Sequence, residues 1–389
     1  MATIITADTN VARHWLCAVL LLVATCSASL AIADDAWTLD TADQSLVEAA
    51  AYDSAMRLAS QQTPAAPLEV EVMPVSAAGG ATIGGNVFCN GVRLQDEIEL
   101  VSTRSIGNCC DPALLRSGLR VENYAICNDA GARRWQQSDF ESFLSFDPSV
   151  TTIFFVHGNQ ISPSDAKNEG LMFYRRLMHY GAASPRIRVV IFSWPSSKIG
   201  GLLRDVRVKA ARTTPAGCQL AYVLDQMAPE TPITLYGFSF GARIVTGGLH
   251  ILGGGHLGSC RLNERAHPDR QPVNIVLAAA ASHAYWLGEG NYHGLALTQV
   301  NRAFFFNNCN DPAMRYYRFV TTNGNPQAMG LRGPTCLNAA QRSQIRQRDV
   351  SRSVGSQHDL NAYLCVPGWS AQVWEYIGST QPVAATSAN

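Results

Sequence analysis

An α/β fold, with a mostly parallel central sheet and helices on both faces, is what the sequence predicts. Three observations carry that prediction. Continuous apolar runs alternate with longer stretches of helical periodicity along most of the chain. The runs are apolar throughout rather than at every second position, the mark of strands buried on both faces. The first three core runs each pass through a turn into a helical stretch, the order that parallel crossovers require.

Taken in order, two β-like runs come first, Ile98–Arg104 (IELVSTR) and Leu119–Cys127 (LRVENYAIC). The core runs follow as Thr152–Val156 (TIFFV), Ile187–Trp194 (IRVVIFSW), Ile233–Tyr236 (ITLY) and Val273–Ala280 (VNIVLAAA). A last run is either Arg302–Asn307 (RAFFFN) or its neighbour Tyr316–Val320 (YYRFV). The intervening helices are expected at about Asp165–Tyr180, Ala216–Met227 and Ala242–Leu252, with one more after Trp369.

The 389 residues are 47% hydrophobic and 15% charged, enough apolar material for a large core and far from the composition of a disordered chain. Lys+Arg and Asp+Glu both number 30, so no global basic field exists to hold nucleic acid. The 31 Gly and 18 Pro follow no Gly-X-Y period, and no repeat of roughly 20–50 residues appears, which excludes collagen-like and solenoid readings.

Residues 14–33 (HWLCAVLLLVATCSASLAIA) follow Arg13, carry no charge and end in small residues, so residues 1–33 read as a cleaved secretory signal. A run of about 20 residues is also long enough to remain as a membrane anchor, and Cys26 resembles a lipoprotein processing site, although Thr25 fits it poorly. Residues 34–85 are rich in Ala, Gly, Pro, Thr and Ser, with one helical stretch near Leu46–Leu58, and read as an arm or linker. The folded domain is expected over 86–377 and a flexible tail over 378–389. The product is then an exported protein: periplasmic, secreted or on the cell surface.

Nine cysteines follow the leader: Cys89, Cys109, Cys110, Cys127, Cys218, Cys260, Cys309, Cys336 and Cys365. None has the spacing of a metal motif. In an oxidising compartment several are expected to be cross-linked, and an odd number leaves at least one thiol without a partner in the chain.

The strongest chemical signal is Gly237-Phe238-Ser239-Phe240-Gly241. A bare GxSxG is expected by chance about 0.2 times in such a chain, but here it sits between a buried strand and an amphipathic helix. That context makes it a strand-to-helix elbow, whose glycines remove side chains that would strike neighbouring backbone. It presents the Ser239 hydroxyl at a helix N-terminus, where amides favour developing negative charge.

With this elbow, with His157-Gly158-Asn159 after TIFFV and with Phe192-Ser193-Trp194-Pro195-Ser196 at the next strand end, the chain resembles the α/β-hydrolase superfamily over roughly residues 95–375, and most of all its bacterial esterase/lipase-like branches. The resemblance implies an α/β-hydrolase fold and a serine hydrolase with no cofactor and no metal. Its substrate is then a small-molecule or lipid ester, with an amide as the lesser substrate. The chain order of the superfamily, Ser then acid then His, implies His358 as base, with His283 as the second choice. It implies Asp311 or, failing that, Asp349 as acid, and an oxyanion hole from the backbone N–H of Phe240 with that of Gly158 or Asn159.

His250, His256 and His267 read as surface or packing residues and His157 as a loop-orienting one. Trp194 is expected either to line the substrate pocket or to pack. Arg243, four residues after the serine, suits a substrate carboxylate or helix packing. The basic segment between Ser197 and Thr214 suits a lid, contact with an anionic membrane surface or a solvated helix. The competing class is a hydrolase-like module that binds without turnover, distinguished by the reactivity of Ser239.

Overall fold

The computed structural model describes residues 81–83, 86–107, 111–126, 132–320 and 325–377. The expected leader, most of the arm, its helical stretch at 46–58, the tail and Cys109, Cys110 and Cys127 lie outside these residues.

One sheet of nine strands organises the domain: β1 (Glu97–Ser102), β2 (Arg120–Ile126), β3 (Arg133–Ser138), β4 (Thr151–Val156), β5 (Ile187–Ser193), β6 (Ile233–Phe238), β7 (Val273–Ala278), β8 (Val300–Asn307) and β9 (Ile345–Asp349). Their spatial order is β9-β8-β7-β6-β4-β5-β1-β2-β3. The strands from β9 to β1 are parallel, and β2 and β3 add an antiparallel edge. This is an α/β fold with a mostly parallel sheet. Every residue of β5, β6 and β7 is buried, which explains their mostly apolar character, interrupted by Arg188, Ser193, Thr234 and Asn274. Each large aliphatic or aromatic side chain so placed stabilises the fold by about 1.5–3 kcal/mol relative to exposure.

RAFFFN rather than YYRFV supplies the strand, while Tyr317–Val320 forms a 3-10 turn. The two strands without an apolar run, β3 (RRWQQS) and β9 (IRQRD), are the two sheet edges, where side chains reach water. Ahead of β1, Ala81–Ile83, Asn86–Cys89 and Val92–Arg93 pair as a small antiparallel sheet. Its first strand falls inside the stretch expected to be linker.

The helices that frame the site are α1 (Pro163–Gly181), α2 (Leu202–Gln226), α3 (Phe240–Leu252), α4 (Leu360–Leu364) and α5 (Trp369–Trp374). A capping box of Ser162 and Asp165, with Pro163 just inside, starts α1. Phe173 on α1 lies 5.0 Å from Phe155 and 4.8 Å from Tyr236, and Trp369 on α5 meets the same Tyr236 at 5.8 Å. Gly237, next in β6, faces the other way, where a Cβ would lie 2.7 Å from Ala242 Cα of α3. Helices therefore cover both faces. The basic segment expected as a lid or solvated helix is a loop over 198–201 followed by the first half of α2, and Asp205, Val206, Lys209, Ala210 and Thr213 of that helix are buried, so the helix is only partly solvated.

No disulfide joins two described cysteines, contrary to the expected cross-links. Cys309, Cys336 and Cys365 are free thiols; Cys309 Sγ lies 3.2 Å from Ser351 Oγ, and Cys365 Sγ donates to Asn361 Oδ1 at 3.6 Å. Among the described residues no helix is long and apolar enough to cross a membrane.

A buried ion pair ties the small sheet to the large one. Arg93 and Asp96, both with fully buried side chains, meet at 2.7 Å. Asp96 also accepts from Tyr174 Oη at 2.6 Å and from the Ile187 amide at 3.1 Å. Asp96→Ala would leave the guanidinium buried without its carboxylate and is expected to destabilise the protein by about 3–5 kcal/mol. Urea denaturation measures this, and a loss under about 1 kcal/mol would refute the assignment.

Candidate active site

Strand β6 ends at Phe238 and α3 starts at Phe240, so Ser239 is the single residue that turns between them. Its backbone adopts φ 54° and ψ −120°, a left-handed conformation that costs a non-glycine residue on the order of 1–3 kcal/mol. Three hydrogen bonds hold it there. The Ser239 N–H donates to Ala278 O at 3.0 Å, and its carbonyl accepts from the Ala281 and Ala242 amides at 3.1 Å each. The flanking glycines are required by close approach: a Cβ at Gly241 would lie 2.0 Å from Val156 O, and the one at Gly237 would strike Ala242.

The turn after β8 brings Asp311 under the sheet edge, and the loop before α4 brings His358 above it. The Ser239 hydroxyl donates to His358 Nε2 at 3.0 Å, and His358 Nδ1–H donates to Asp311 Oδ2 at 2.7 Å. A carboxylate only accepts, so Asp311 assigns the proton to Nδ1 and leaves Nε2 free to accept. Asp311 is fully buried. Its Oδ1 caps the following turn through the amides of Ala313 and Met314, at 2.9 and 3.4 Å. Burial pulls the His358 pKa down, but the charge and hydrogen bond of Asp311, with a contribution from Asp359, more than offset it, and the net direction is upward.

The second choices stand elsewhere. His283 Nδ1 accepts from Tyr317 Oη at 2.8 Å, and burial followed by the charge of Arg243 lowers its pKa to about 4. Asp349 accepts from the Ser351 amide at 2.8 Å and from the Ser351 hydroxyl, not from an imidazole.

The strand β4 ends beside the elbow. A Cβ at Gly158 would lie 3.3 Å from Ser239 Cβ, so the 157–160 loop touches the serine. The Phe240 N–H is the first amide of α3, a position with no intrahelical acceptor.

Behind the loop, buried His157 is held neutral at neutral pH, its pKa lowered to about 3 by burial. Its Nε2 faces Arg104 Nη2 at 3.3 Å. Trp194, expected either to line the pocket or to pack, is a packing residue. It is fully buried, and its Nε1–H donates to His157 O at 2.9 Å, bracing the loop from behind.

Three side chains that sequence reasoning passed over complete the site. Tyr363 donates its hydroxyl to Asp311 Oδ2 at 2.8 Å. Buried Asp205 accepts from Asn159 Nδ2 at 2.7 Å, from the Ile199 amide at 2.8 Å and from Lys209 Nζ at 2.8 Å, fixing the 157–160 loop against α2. The Asp205/Lys209 spacing of four residues on a helix is a signal for such a pair. Glu169 on α1 lines the cavity with Oε2 unpartnered; burial, then the charges of Asp165 and Asp359, raise its pKa to about 7.

A cavity of about 660 Å³ opens over Ser239 and His358, the size range of small-molecule sites. Ile161, Ile199, Leu202, Val206, Met314 and Val320 give it apolar walls, and Gln160, Lys198 and Asp359 join Glu169 as polar groups. Among the described residues no group of three or more His, Cys, Asp or Glu side chains is placed to hold a metal ion.

Neither a family model nor a curated protein matches the chain. A solved structure, an acetylxylan esterase, aligns over 59% of this chain and 95% of its own with 13% identity and a TM-score of 0.31. That similarity is too distant to carry a functional argument.

Proposed function

We propose that the chain is a serine hydrolase of the α/β-hydrolase kind that cleaves a carboxylic ester through an acyl-enzyme. The observation that carries this reading is the continuous hydrogen-bond line from Ser239 through His358 to Asp311 at the floor of an apolar cavity. Ser239 Oγ attacks the ester carbonyl as His358 Nε2 takes its proton. Asp311 holds the imidazole tautomer and stabilises the imidazolium that forms. The oxyanion accepts from the Phe240 N–H and from Gly158 or Asn159. The tetrahedral intermediate then collapses, the C–O bond to the alcohol breaks, and His358 gives the leaving alkoxide its proton. Water, activated by the same imidazole, hydrolyses the acyl-Ser239 bond and regenerates the enzyme.

The leader read in residues 1–33 belongs to the same proposal: the enzyme works in an exported form.

The test is covalent labelling with a fluorescent fluorophosphonate, with the adduct located by mass spectrometry. A single adduct on Ser239, lost in His358→Ala, is the expected result. A folded protein that forms no adduct would overturn the proposal in favour of a binding module without turnover.

A further inference from the structure

We infer that the space beside Arg243 is a carboxylate-binding subsite, and that the substrate is an ester whose acyl part carries a second, free carboxylate. This deepens the hydrolase reading and rests on it for the position of the scissile bond.

The argument starts from charge pairing. Six Lys and Arg side chains are buried among the described residues: Arg93, Arg133, Arg188, Lys209, Arg243 and Arg270. A cation withdrawn from water needs compensation. Arg93, Arg188 and Lys209 each find it in a buried carboxylate, that of Asp96, Glu99 and Asp205. Arg133 and Arg270 give N–H groups to backbone carbonyls. Arg243 has neither. It is 9% exposed, stacks its guanidinium 4.6 Å over the Trp286 ring and makes one polar contact, Nη1 to Tyr317 Oη at the long distance of 3.5 Å. Among the described residues its Nε and second Nη have no acceptor and, unlike Nε and Nη1 of Arg270, they are not buried atoms without a partner, so they keep contact with solvent.

The surroundings do not supply an anion. Tyr317 Oη donates its hydrogen bond to His283 Nδ1, and His283 stacks on Trp286 at 4.2 Å. Burial and the Arg243 charge hold both His283 and His293 neutral at neutral pH. A planar fork of N–H donors on an otherwise neutral, partly aromatic wall is matched to a carboxylate, which can take two parallel hydrogen bonds.

Position ties this subsite to the reaction. Arg243 is one helical turn beyond Ser239 along α3, about 6 Å along the axis; it does not itself line the cavity over Ser239, but Tyr317, its contact, does, which places the proposed subsite past Tyr317. The acyl part stays bonded to Ser239 in the intermediate, so it is the part of the substrate that extends past Tyr317 toward Arg243, and we assign it a chain of a few methylenes, as in the half-ester of a short dicarboxylic acid.

The test compares para-nitrophenyl hydrogen adipate with para-nitrophenyl hexanoate, esters of similar length with and without the terminal carboxylate. Wild type is expected to favour the adipate at least tenfold in kcat/KM, chiefly through KM. In Arg243→Met the ratio is expected to fall to near one, and in Arg243→Lys, which keeps the charge but not the fork, to an intermediate value. Calorimetric titration of Ser239→Ala with adipate gives a readout without turnover: saturable binding, lost when Arg243→Met is added, supports the subsite. Adipate binding without hydrolysis of either ester would sink the hydrolase reading and leave the subsite standing. Hydrolysis of both esters with a ratio near one in wild type would overturn the subsite and leave the hydrolase reading intact, and binding of inorganic phosphate but not adipate would overturn the carboxylate assignment. Arg243→Lys and the wild-type ratio keep the test decisive if Arg243→Met does not fold.

Discussion

Replacing Ser239 by alanine is expected to lower ester turnover about a millionfold, close to the limit set by binding and the remaining amides alone. The size follows from what the side chain does in the proposed mechanism. Without Oγ no acyl-enzyme forms, and His358 has no hydroxyl to activate. The strained backbone is the second consequence. The conformation at φ 54° is imposed by the Ala278, Ala281 and Ala242 hydrogen bonds, none of which uses the side chain. Ser239→Ala should therefore fold with a urea midpoint near that of wild type, since alanine meets the same strain as serine. Ester hydrolysis followed by steady-state kinetics, with denaturation in parallel, checks both statements. Turnover within tenfold of wild type would refute the role of Ser239, and a large loss of stability would instead show that its hydroxyl is structural.

Much of this site was legible because its chemistry lies in short, local patterns. GFSFG between strand and helix reports a backbone event, the close approach of Gly237 and Gly241 to Ala242 and Val156, and such events leave a strong residue signature. The buried parallel strands were equally legible, because burial on both faces demands mostly apolar runs. Edge strands were not: β3 and β9 carry the Arg and Gln of a solvated face and gave no period to read.

The long-range partners were beyond periodicity for a different reason. Tyr363 meets Asp311 from 52 residues away, and Asp205 meets Asn159 from 46. Nothing in a linear pattern reports which loop ends converge. Trp194 shows the converse difficulty, a residue at the correct sheet edge whose indole is turned behind the loop rather than into the cavity. Chain order carried the resemblance as far as a choice of acid. In the structure Asp349 accepts from Ser351 while Asp311 faces the imidazole, which is why the proposed mechanism takes Asp311.

Asp311→Asn is expected to cost about four orders of magnitude in kcat/KM while leaving the chain folded, and its pH dependence identifies the cause. In wild type the carboxylate takes the Nδ1–H and leaves Nε2 as the acceptor for Ser239. An asparagine amide turned to donate to Nδ1 would place the proton on Nε2, facing the serine, where it blocks proton transfer. The pH limb gives a second, independent sign. His358 works as a base only when neutral, so activity is lost as pH falls through its pKa, which Asp311 holds above the ordinary value of 6.5 against the pull of burial. Removing the charge leaves burial and the weaker influence of Asp359, so the acid limb of the residual activity should move to lower pH. Glu169, whose pKa is raised to about 7, also faces the cavity and can add an acid limb of its own. Glu169→Gln is therefore made both alone and together with Asp311→Asn, and the shift between these two proteins is read with that group silent. A limb that stays in place between them, or moves upward, would show that Asp311 does not set the protonation of His358.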